Sequence, residues 1–165
     1  MITDAAAMVL LGAASITDIK SRKIPNGLTV SSTGLGLLYY VVTQGISGLW
    51  FSGSGMLLGF LLLLLLYLFK VVGAGDVKLF AALGAWAGAA LVWSIFVYTI
   101  LIGGMIGLFL LLYHFRSYGT RFAQVILVTL GLRNLVVLKE HLKRPATFPF
   151  MIAVFPAALV AYFIG

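Results

Sequence analysis

LFAALGAWAGAALVWSIFVYTILIGGMIGLFLLLY, residues 79–113, holds no charged side chain. As one straight helix it would be on the order of 50 Å long. The hydrocarbon core of a bilayer is only about 30 Å thick. The stretch is therefore expected to break near Gly88-Ala89-Ala90, giving two membrane spans. Working outward, residues 5–17 read as a first span, with Asp18 and its neighbours at the interface. Residues 27–43 read as a second, followed by an uncharged Gly- and Ser-rich turn region over 44–55. Residues 56–69, with six consecutive leucines at 61–66, form a third that Lys70 ends. Residues 148–164 form the last. The expected fold is all-α: a polytopic membrane protein, a bundle of six transmembrane helices in one domain over residues 1–165.

Composition agrees with a membrane chain. Of 165 residues, 62% are hydrophobic and 9% charged, against about 25% charged in a soluble domain. The mean hydropathy is +1.16. These values exclude a soluble globular domain, a disordered chain and a solenoid, because a soluble protein of this size could not hide so much apolar surface. The chain has no cysteine, which excludes a disulfide scaffold, a thiolate zinc site and a cysteine nucleophile. Met1-Ile-Thr-Asp4 has no basic segment before the apolar run, so the first span is expected to be retained rather than cleaved as a secretory signal.

The net charge of +7 comes from 11 Lys and Arg against 4 acidic residues. Six spans put all the basic residues on one face: Lys20, Arg22 and Lys23; Lys70 and Lys78; Arg116, Arg121, Arg133, Lys139, Lys143 and Arg144. Without the break near Gly88 they would split between the two faces. The positive-inside rule selects six spans, with the basic face cytoplasmic and both termini outside. The excess is then explained by topology and anionic lipid rather than by nucleic acid. Residues 117–146 are too charged to span, and are expected to form one or two helices lying at the cytoplasmic interface. Three small-residue repeats, Gly55-xxx-Gly59, Gly84-xxx-Gly88 and Gly103-xxx-Gly107, would let helices approach closely.

The acidic residues are Asp4, Asp18, Asp76 and Glu140. Asp4 is expected in solvent at the outer terminus, and Glu140 in an interfacial helix beside Lys139 and Lys143. Asp18 and Asp76 fall at the same membrane depth and on the same face. Ionisable groups at such positions pair or do work. Asp76 could serve only as a helix N-cap, and Asp18 could pair with Lys20 or Arg22. Asp18, however, lies at the C-terminal end of its span, where the helix dipole disfavours negative charge.

Two carboxylates at one site hold a single proton between them. The ionised one can activate water, and the protonated one can donate to a carbonyl oxygen. That hydrolyses a peptide without a covalent intermediate. Gly73-Ala74-Gly75, just before Asp76, allows a tight turn and close approach of a substrate backbone. His114 and His141 have no acidic neighbour at metal-ligand spacing, and no nucleophile elbow, P-loop or dinucleotide fingerprint is present.

Gly73-Ala-Gly75-Asp76-Val-Lys78, continuing to Gly88, resembles the G-x-G-D region of the type IV prepilin peptidases. Asp18-Ile-Lys-Ser-Arg-Lys-Ile24-Pro25-Asn26 resembles their other motif, an Asp followed after five residues by Ile-Pro-Asn or Ile-Pro-Asp. Residues 145–156, with Phe148-Pro149-Phe150, loosely resemble the start of the family's last helix, although Met151 stands where Gly is usual. The resemblance implies a membrane aspartic endopeptidase with Asp18 and Asp76 as its catalytic pair. It also implies prepilins or pilin-like proteins as substrates, cut on the cytoplasmic side of the inner membrane, with no cofactor. Larger members carry a zinc-binding cysteine insertion and also N-methylate the product. This cysteine-free chain is similar instead to the short, peptidase-only form that serves Flp/Tad-type pili.

Gly73, Gly75, Lys78, Pro25 and Asn26 are expected to support the two aspartates. Lys78 would anchor the helix to lipid phosphate or hold Asp76 ionised. Pro25 would fix the turn and Asn26 would cap the second span. Two alternatives come from other classes: a small proton-coupled transporter or channel with an Asp18–Asp76 relay, and a non-catalytic assembly subunit. A transporter site tends towards the membrane midplane, whereas these two acids lie at one face.

Overall fold

A computed structural model describes the backbone of residues 2–21, 24–132 and 150–164. Among the described residues there are four helices: α1 (Ile2–Ser21), α2 (Asn26–Leu68), α3 (Ala74–Leu132) and α4 (Met151–Ile164). By length and composition α1, α2 and the Ala74–Leu110 part of α3 could each cross a membrane, and α4 is apolar but shorter. The described residues thus form four helices, three of them long enough to span, where the sequence predicts six spans. The reason is local: α2 and α3 each run through a glycine with non-helical backbone, Gly45 (φ 63°, ψ −137°) and Gly88 (φ 76°, ψ 172°). Positive φ is inexpensive only for glycine.

The break at Gly88 falls where the uncharged stretch was expected to divide. At Gly45 the chain doubles back. A Cβ on Gly48 would collide with the Tyr40 carbonyl oxygen, whereas eight residues along an unbroken helix lie about 12 Å apart. Contacts with α3 agree. Asn26, Ser32 and Tyr40 meet Lys78 and Trp86 in ascending order, while Gly55 and Gly59 meet Gly84 and Phe80 in descending order. The two arms of α2 thus run in opposite directions along the first arm of α3.

The chain divides into two compact units, residues 1–103 with 149–165, and residues 104–148. In the second, α3 continues as helix to Leu132, through the first part of the segment expected at the interface. The rest of that expected segment, with Arg133, Lys139, Glu140, His141, Lys143 and Arg144, lies outside the described residues, as do Arg22, Lys23, Phe148 and Pro149.

In the first unit the buried stripe of α1 is Ala7, Leu10, Leu11, Ala14 and Asp18, a spacing that follows one helix face. Its other face is also apolar: Val9, Ile16 and Ile19 are exposed. A helix apolar all round belongs in lipid. There, cohesion comes from close packing and hydrogen bonds rather than from escape from water. The packing is backbone to backbone where the second arm of α2 crosses α3. A Cβ on Gly55 would strike the Gly84 carbonyl, one on Gly84 the Gly55 carbonyl, and one on Gly59 the Phe80 carbonyl. Gly103 meets Ala153 more loosely, and among the described residues nothing lies within 4 Å of where a Cβ on Gly107 would be.

A helix break leaves carbonyls without N–H partners, which is costly where water is absent. Two side chains of α2 supply the missing donors. Ser52 Oγ donates to the Ala85 carbonyl (2.7 Å) and Tyr40 Oη to the Trp86 carbonyl (3.0 Å). Trp86 Nε1 in turn donates to the Ser32 carbonyl (3.0 Å), and the Phe51 ring occupies the space a Cβ on Gly88 would need.

Candidate active site

The C-terminal end of α1 and the N-terminal ends of α2, α3 and α4 meet at one end of the first unit. Asp76 is the third residue of α3. The Gly73 carbonyl accepts from the Asp76 and Val77 N–H groups (3.1 and 3.4 Å), which makes Gly73 the N-cap. Asp76 Oδ2 accepts from the Gly73 N–H (2.9 Å). This is the returning half of a capping box. Asp76 is therefore not the N-cap but the residue that closes the cap from inside the first turn. Gly73 takes part through backbone alone, and a Cβ there would lie 3.4 Å from Asp76 Oδ2, in ordinary contact.

Asp18 also sits at a helix N-terminus, though not that of its own helix. Its Oδ2 accepts from the Met151 N–H (3.3 Å). Phe150 caps α4, its carbonyl taking the Ala153 and Val154 N–H groups, so Met151 is the first helical residue and its N–H has no partner within α4. The carboxylate that the α1 dipole disfavours is held by the opposite pole of α4. Pairing with Lys20 or Arg22 is not needed to explain it. Met151 contributes a backbone group, so its departure from the usual Gly leaves the donor intact.

Asp18 and Asp76 are 8% and 9% exposed, and they lie within electrostatic reach of one another. The fold thus brings together two carboxyl groups remote in sequence, each tied to one backbone N–H. Phe80, one turn along α3 from Asp76, packs beside the α4 cap. It is fully buried, with its ring centroid 6.3 Å from that of Phe150, the α4 cap.

The supporting residues occupy roles that differ in part from expectation. Pro25, not Asn26, stands at the N-cap of α2 (φ −63°, ψ 131°) with no side-chain cap. Its carbonyl accepts from the Leu28 and Thr29 N–H groups. Asn26 is the first helical residue, and its Oδ1 accepts from Lys78 Nζ at 2.9 Å. Lys78 therefore reaches across to α2. Gly75 packs on Ile24, where a Cβ would lie 3.3 Å from the Ile24 Cβ. Met151 and Phe150 are site residues that sequence reasoning did not single out. The Pro- and aromatic-rich start of the last helix was the available signal. Among the described residues no group of three or more metal-ligating side chains comes together.

The type IV leader peptidase family matches residues 5–112. A curated relative, the prepilin leader peptidase/N-methyltransferase of Pectobacterium carotovorum subsp. carotovorum, is 36% identical over 105 residues. That alignment covers 57% of this chain and 34% of the relative, so the chain spans about a third of that relative's length. No solved structure matches the chain. The family match covers well over half of the sequence, Asp18 and Asp76 included, and the chain belongs to the type IV leader peptidase family.

Proposed function

We propose that the chain is a membrane aspartic endopeptidase. It removes the short basic leader of prepilin or pilin-like precursors at the cytoplasmic face of the inner membrane, using Asp18 and Asp76 as its catalytic pair. The observation that carries this reading is the placement of these two buried carboxyl groups within electrostatic reach of one another at one end of the bundle, in a chain of a leader peptidase family.

In the reaction, the ionised carboxylate takes a proton from water as the water oxygen attacks the scissile carbonyl carbon. The protonated partner donates to the carbonyl oxygen. The tetrahedral intermediate collapses, the C–N bond breaks, and the leaving nitrogen takes up a proton from the pair. No covalent enzyme intermediate forms. The Met151 and Gly73 N–H groups hold one oxygen of each carboxylate and leave the other for water or substrate. The flanking glycines let an extended peptide approach.

The proposed topology has six crossings in a single peptidase domain, with the Gly45 and Gly88 breaks as the outer turns and both termini outside. It rests on the opposed directions of the two α2 arms and on the positive-inside rule. Lys70 and Lys78 then lie at the cytoplasmic face beside Asp76.

The test is cleavage of a prepilin-like peptide with a basic leader, a Gly and an apolar helix, by protein purified in detergent or lipid, with products identified by mass. A single cut at the leader junction is expected. Absence of cleavage across several pilin substrates in both media would overturn the reading.

A further inference from the structure

The first turn of α3 has two faces. Residues two apart on a helix do not share a face, whereas residues three apart do. Asp76 folds back on Gly73. Gly75 and Lys78 form a different face, and both touch the segment that enters α2. Gly75 abuts Ile24, and Lys78 Nζ reaches Asn26 Oδ1. Between the two contacts Pro25 fixes its own φ, so Ile24 and Asn26 are presented as one stiff unit. Thr29, almost wholly buried, donates from Oγ1 to the Asn26 carbonyl (3.1 Å). A lysine at a membrane face ordinarily extends its ammonium to water or lipid phosphate. Here the exposed ammonium gives one of its hydrogen bonds to a neutral amide of a neighbouring helix.

We propose that Lys78 and Asn26 form a clamp. They are positioning residues that fix the Ile24–Asn26 segment, at the start of α2, against the turn that carries Asp76. Asp18 is held by α4 and the turn of Asp76 is held against α2 by the clamp, so the two carboxyl groups keep one separation. Without the clamp the N-terminus of α2 is free to shift, and the alignment of the pair loosens. The kinetic part of this inference rests on the peptidase reading; the structural part does not.

The test has two arms on the same variants. Lys78→Met keeps the stem without the charge, Asn26→Leu keeps the bulk without the acceptor, and Asn26→Asp keeps an acceptor oxygen. In the first arm, limited trypsin digestion monitors cleavage after Lys20, Arg22 and Lys23, with products identified by mass. Lys78→Met and Asn26→Leu are each expected to raise that rate several-fold, and Asn26→Asp to leave it near that of the parent. In the second arm, peptide cleavage should fall about tenfold in kcat with little change in KM for each disrupting variant, since small misplacements of catalytic groups are costly. The double variant should be no slower than either single, because both remove one interaction.

Unchanged trypsin rates in Asn26→Leu would overturn the clamp whether or not the chain cuts prepilins. So would losses that add in the double variant, which would mark Lys78 as acting on lipid or substrate independently of Asn26. A parent protein that cuts nothing while trypsin rates rise as expected would overturn the peptidase reading and leave the clamp standing. If Lys78→Met does not fold, the contrast between Asn26→Leu and Asn26→Asp decides alone.

Discussion

Asp18 is a carboxylate at the wrong end of its own helix, and it is tolerated because α4 begins beside it. The donor is the Met151 N–H, at the one helical position where proline is well accepted. Met151→Pro should therefore remove the donor while sparing the helix. We expect that variant to lose most of its peptidase activity and Met151→Gly to keep it, as measured by initial cleavage rates. Lys70 makes a second residue-scale case. It adopts φ 59° just past the end of α2, with its N–H on the Tyr67 carbonyl and the Val71 N–H on the Leu66 carbonyl. That pattern is a Schellman cap, in which glycine is the usual residue. Lys70→Gly should raise stability by about 1 kcal/mol, seen as a higher Tm in detergent; a lower Tm would mean the lysine head makes a compensating contact. The pH profile belongs to the same scale. A pair sharing one proton works only in its singly protonated form. Cleavage should fall on the alkaline side as that proton leaves, and on the acid side as a second one binds. A flat rate from mildly acidic to strongly alkaline pH would contradict the shared-proton pair.

At the scale of elements, small residues decide where helices can touch. The crossing of the second α2 arm over α3 leaves no room at Gly55 or Gly84, so Gly84→Val should destabilise the fold by about 3 kcal/mol or prevent folding. Gly34 and Gly53 face open space, and alanine there should be neutral or slightly stabilising. Thermal unfolding of this set separates packing glycines from incidental ones. Ser52→Ala should cost about 1–3 kcal/mol, because it strands the Ala85 carbonyl at the Gly88 break. Sequence made some of this legible. The uncharged length of residues 79–113 demanded a break, and the Gly55 and Gly84 repeats marked close contacts. It did not reveal that Ser52 and Tyr40 close the break, or that none of the described residues packs on Gly107. Those are tertiary facts: a serine in an apolar helix looks the same whether it faces its own helix or a neighbour's broken end. Asn26 misled for a similar reason. Its position before an apolar run suggested a cap, but its amide is taken by Lys78 from a distant part of the chain.

At the scale of the whole molecule, the bundle brings one helix C-terminus and three helix N-termini to the same end. The candidate site follows from that convergence. Three N-termini offer unpaired N–H groups, and two of them hold the two buried carboxylates. The expectation that Asp18 and Asp76 act together came from scarcity and depth, since the sequence has so few acids. The role of Met151 was not legible, because nothing in a sequence reports which backbone N–H a remote side chain will meet. The six-crossing topology predicts that single cysteines at Gln44 and Ala90, exposed residues beside the two breaks, react with membrane-impermeant thiol reagents from outside the cell. Cysteines at Lys70 and Ser21 should react only after the membrane is opened. The cysteine-free background makes this clean, and labelling of all four positions from one side would contradict the topology. The most direct test of the central claim is the prepilin cleavage rate of Asp18→Asn and Asp76→Asn beside the parent protein, each confirmed folded by its Tm. The account predicts that both variants keep the fold and lose cleavage. A folded variant of either kind that cuts at the parental rate would contradict it.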